Sequence, residues 1–153
     1  MTRPGPSVSN EVGAGPRHTR FTVAEQQSLL TLWAMARSPL IVGANLSLLD
    51  DATTRLLTNK EVLNIDQTAT SSRQVLREGD LVVWTADLPN HKTALALFNV
   101  GEQSISVNRP LTDYALKGGS YQIRNVWSGS DSKSAVTVTR TIEPHACVLL
   151  IIK

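Results

Sequence analysis

After a polar, proline-rich start, apolar residues first recur at a helical interval. Thr22-Val23-Ala24-Glu25 has the form of a capping box, with Thr22 as the N-cap and Glu25 three residues on. Behind it Leu29, Leu30, Trp33 and Ala36 fall on one side of a 3.6-residue period. The spacing predicts a helix over 22–37, ended by Pro39, because the residue before a proline is pushed out of helical backbone. Pro39 to Gly43 is a short continuous apolar run, the pattern of a strand buried on both faces in a parallel sheet. A second helical stretch is predicted from Asp50 to Leu57, with a further turn over Lys60 to Ile65. Helix, strand, helix is the rhythm of an α/β protein.

From residue 73 the period shortens. Segments 73–77, 80–86, 93–99, 103–108, 120–127, 134–141 and 146–152 read as strands, parted by turn residues such as Glu78-Gly79, Pro89-Asn90 and Gly118-Gly119. Ser134 to Thr141 alternates as a single strand, with Val136 and Val138 on one face. Seven short strands with no helix between them predict an antiparallel sandwich. Three spans follow: an irregular lead-in over 1–20, an α/β unit over 21–67 and a sandwich over 73–153, with 66–72 as a linker. The α/β unit is incomplete alone, since a single parallel strand has no neighbour to pair with.

Composition narrows the functional classes. The chain has 153 residues and a net charge of +2, with 15 scattered basic residues and 5% aromatics. Nucleic-acid binders gather a basic stripe with stacking aromatics, and neither is present. The longest apolar run, Ala146 to Ile152, is too short for a helical membrane span, and the first residues have no apolar signal core. Cys147 stands alone, which fits a reducing compartment and leaves no cysteine-based zinc site. Inside an apolar run it reads as an inert core thiol. His18, His91 and His145 lie far apart, without metal-ligand spacing. No cofactor loop or nucleophile elbow occurs. Asp50-Asp51 is the one adjacent acid pair. Neighbours on a helix point about 100° apart, so capping is the better reading. Asp80 and Asp87 read as turn residues, and Trp33, Trp84 and Trp127 as core aromatics.

Several motifs in order carry a resemblance: FTVAEQ at 21–26, LWAMARSPLIVGANL at 32–46, LLTNKEVLNIDQ at 56–67, TALALFN at 93–99, YQIRNVWSG at 121–129 and PHACVLLI at 144–151. They resemble the C-terminal part of family 27 glycoside hydrolases, the α-galactosidase or melibiase type. The resemblance implies that 21–67 is the last helix–strand–helix of a (β/α)₈ barrel and that the rest is the sandwich that follows it. It departs at Asp66-Gln67-Thr68, where the family usually reads Asn-Gln-Asp; Asp66 is expected to make a structural hydrogen bond at the junction. Asn10 to Gly13 weakly resembles the segment after the seventh barrel strand.

The resemblance also implies hydrolysis of terminal α-galactosides by two aspartates, both of which would precede Met1. No catalytic residue is therefore assigned here, and the chain alone is expected to be inactive. Active sites of such barrels lie at the C-terminal ends of the strands. The loop after Ile41-Val42, namely Gly43, Ala44 and Asn45, is the candidate rim of the sugar pocket. No cofactor or metal is expected. The implied partners are the carbohydrate and the remainder of the barrel, with no nucleic acid or membrane. The alternative from another class is a stand-alone β-sandwich module that binds carbohydrate or protein. It would need an exposed aromatic platform or an apolar patch, and the strands show no outward-facing row of aromatics.

Overall fold

A computed structural model describes residues 19–153. Most of the lead-in, His18 and the segment Asn10–Gly13 lie outside these residues. Three helices come first: α1 (Val23–Ala36), α2 (Asp51–Leu57) and α3 (Lys60–Thr68). A 3-10 turn over Leu46–Leu48 precedes α2. Eight strands follow: β1 (Thr70–Glu78), β2 (Leu81–Leu88), β3 (Lys92–Asn99), β4 (Ile105–Pro110), β5 (Tyr121–Asn125), β6 (Asp131–Ala135), β7 (Thr137–Ile142) and β8 (Cys147–Ile152).

All the pairings are antiparallel, in a six-stranded sheet of order β1-β2-β3-β8-β5-β6 and a two-stranded sheet of β4 and β7. Side chains alternate across a strand, and here both faces of the large sheet are covered. Val82, Ala86, Leu88, Ala94, Ala96, Phe98, Leu149 and Ile151 pack with Leu30, Ala34 and Met35 of α1 and with Val62 and Ile65 of α3. Their neighbours Leu81, Val83, Leu95, Leu97, Val148, Leu150 and Ile152 pack against Val107, Val138, Ile142, Leu111 and Tyr114 on the other side. The result is three layers: helices, large sheet, small sheet. Burial on both faces is why β3 and β8 read as unbroken apolar runs rather than as alternation.

Several expectations change. Pro39–Gly43 forms no strand, and Ile41 is 81% exposed. An extended run leaves its backbone N–H and C=O groups unpaired unless a neighbour supplies a ladder. The segment 134–141 is two strands rather than one. The chain leaves the large sheet after Ala135 and enters the small one at Thr137, so the expected partners part: Val138 is buried and Val136 is exposed. The expected linker over 66–72 is taken up by the end of α3 and the start of β1, with only Ala69 between them.

Candidate docking surface

The capping box forms as its sequence dictates. Thr22 Oγ1 accepts from the Glu25 N–H at 3.2 Å, and Glu25 Oε2 accepts from the Thr22 N–H at 2.6 Å. The bond from the Thr22 backbone N–H first, and a bond from its hydroxyl hydrogen second, hold the Glu25 carboxyl below its usual range. At the other end Arg37 takes the left-handed backbone of a C-cap, with φ 52°, just ahead of Pro39.

One side of α1 is sewn to the sandwich by polar bonds inside an apolar contact. The Ser28 hydroxyl donates to the carbonyl of His145 at 2.7 Å. Trp127 Nε1 donates to Thr31 Oγ1 at 3.0 Å, and the same oxygen lies 3.3 Å from Cys147 Sγ. The Ser72 hydroxyl donates to the carbonyl of Met35. On α3, Arg124 Nε reaches Glu61 Oε1 at 2.7 Å and ties the helix to β5. Among the described residues the other side of α1 is bare. Leu32 and Trp33 (40% exposed) face outward, and the apolar exposure continues through Ile41, Val42, Leu46 and Leu48. From Gln26 to Leu49 the chain carries one charged residue, Arg37. A helix that is apolar all round is normally covered all round, and an exposed apolar surface marks an interaction site.

Other residues named from the sequence fall as follows. Gly43, Ala44 and Asn45 are exposed, and Asn45 Oδ1 accepts from Ser47 at 3.1 Å (backbone) and 2.7 Å (hydroxyl). Asp50 caps α2, accepting from the Thr53 N–H at 2.7 Å, and Asp51 sits in that helix's first turn. Asp80 is in a turn, whereas Asp87 lies within β2. His91 lies in the turn between β2 and β3, and His145 Nε2 is 3.2 Å from Glu102 Oε2. Cys147 is partly buried against α1, where burial pushes its thiol up. Trp84 and Trp127 pack against the core, while Trp33 does not, against expectation. Asp66 Oδ1 is buried without a partner, so that oxygen lacks the expected structural bond. The polar joint of Ser28, Thr31, Trp127 and Cys147 was not foreseen. Serine and threonine inside a helix give no local sign of a partner a hundred residues away.

Residues 78–152 match the family model described as the alpha galactosidase C-terminal beta sandwich domain. A β-L-arabinopyranosidase of glycoside hydrolase family 27 from Geobacillus stearothermophilus superposes with a TM-score of 0.86 at 35% identity, over 94% of this chain and 33% of that one. The chain belongs to glycoside hydrolase family 27, in its C-terminal part. Curated relatives agree: alpha-galactosidase 2 of Arabidopsis thaliana is 33% identical over 141 residues, 90% of this chain and 35% of its own length. The alpha-galactosidase of Cyamopsis tetragonoloba is 31% identical over 147 residues, 93% of this chain and 34% of its own. This family 27 chain thus spans about a third of the length of the relatives it matches. The bare side of α1 and the charge-poor segment after it precede the matched sandwich.

Proposed function

We propose that the chain is the C-terminal portion of an α-galactosidase-like retaining glycoside hydrolase, and that its task is to close the catalytic barrel and hold the sandwich against it. In this reading residues 21–67 are the last helix–strand–helix of a (β/α)₈ barrel. The apolar run Pro39–Gly43 becomes a strand only when the rest of the barrel supplies a ladder on each side. One observation carries the proposal: the uncovered apolar side of α1 with the exposed Ile41, Val42, Leu46 and Leu48 beside it in sequence. Each leucine-sized side chain covered there contributes about 1.5–3 kcal/mol if fully buried, which favours binding the remainder of the fold.

The reaction of the whole enzyme is hydrolysis of a terminal α-galactoside or a related sugar with retention. Such chemistry places two carboxyls about 5–5.5 Å apart across the bond, and both lie outside this chain. Gly43, Ala44 and Asn45 sit at the rim of the sugar pocket. The partners are the remaining barrel and the carbohydrate, without nucleic acid, membrane or cofactor.

The test is complementation. A barrel portion ending before this chain's α1 is expressed separately and mixed with residues 19–153, and release of galactose from a terminal α-galactoside is followed. The expected result is no turnover by either piece and turnover by the pair. A chain that stays a stable, monodisperse monomer and never binds the barrel piece would sink the proposal. Saturable binding to a glycan array by such a monomer would favour the stand-alone module instead.

A further inference from the structure

We draw no further inference here: the strongest candidate, the side-chain cluster at the β7–β8 turn where His145 Nε2 lies 3.2 Å from Glu102 Oε2 and the His145 carbonyl accepts from Ser28 of α1, is a solvent-exposed contact of a kind that contributes too little to act as a switch, at a joint already described.

Discussion

Two threonines in this chain let one chemical change be made twice with opposite expected signs. Thr31 is fully buried on α1 and Thr85 almost fully buried on β2. Each becomes valine with no change of shape, and helix or strand propensity hardly moves. At Thr31 the hydroxyl is the acceptor for Trp127 Nε1 at 3.0 Å and touches Cys147 Sγ. Its removal leaves an indole N–H without its partner at a part-buried contact, which costs about 1–3 kcal/mol. At Thr85 the hydroxyl has no partner, so valine removes an unmet desolvation cost and gains about 1 kcal/mol. For a chain of this size each kcal/mol moves the midpoint of thermal unfolding by about 2–4 °C. Thr31→Val should therefore fall by about 4–8 °C if the loss is about 2 kcal/mol, and Thr85→Val should rise by about 2–4 °C. Thermal unfolding followed by tryptophan fluorescence and by far-ultraviolet circular dichroism measures both. If both variants shift in the same direction, the polar joint between α1 and the sandwich is not what the distances imply.

The remaining predictions concern the cap, the thiol and the bare face. The folded-state pKa of Glu25 is depressed by its capping bonds, so its contribution is present above the ordinary glutamate range and is lost as pH falls through the folded value. Stability should decline below about pH 4.5, and Glu25→Gln should flatten that part of the acid limb in a pH-stability curve. Burial raises the Cys147 thiol and Thr31 Oγ1 lies against its sulfur, so iodoacetamide at pH 8 should label the native chain more slowly than the chain in denaturant; comparable rates by mass spectrometry would place the thiol in solvent. Leu32→Lys with Trp33→Lys should reduce self-association in sedimentation velocity while changing unfolding free energy by no more than about 1 kcal/mol, because both side chains are already part-exposed. If the oligomer distribution is unmoved, that face is not adhesive.

How far the sequence announces the fold depends on the range over which each element is specified. The α1 cap is specified by four neighbouring residues, and it forms where Thr22 and Glu25 predict it. The central strands β2, β3 and β8 are nearly as legible, since their apolar residues record burial directly. Pro39–Gly43 fails for the opposite reason. Its residues favour a strand, but a strand is a pairing, and no described segment pairs with it. The break at Val136 is a topological choice between two sheets, invisible in an alternation that runs smoothly through it. The same reasoning bears on α1. Its charge-poor run was readable as an apolar helix, yet sequence alone expected Trp33 inside. The packed side of α1 is filled by Leu30, Thr31, Ala34 and Met35, and the polar bonds of Thr31 and Ser28 fix which side that is. With its rotation set, Trp33 has to face outward.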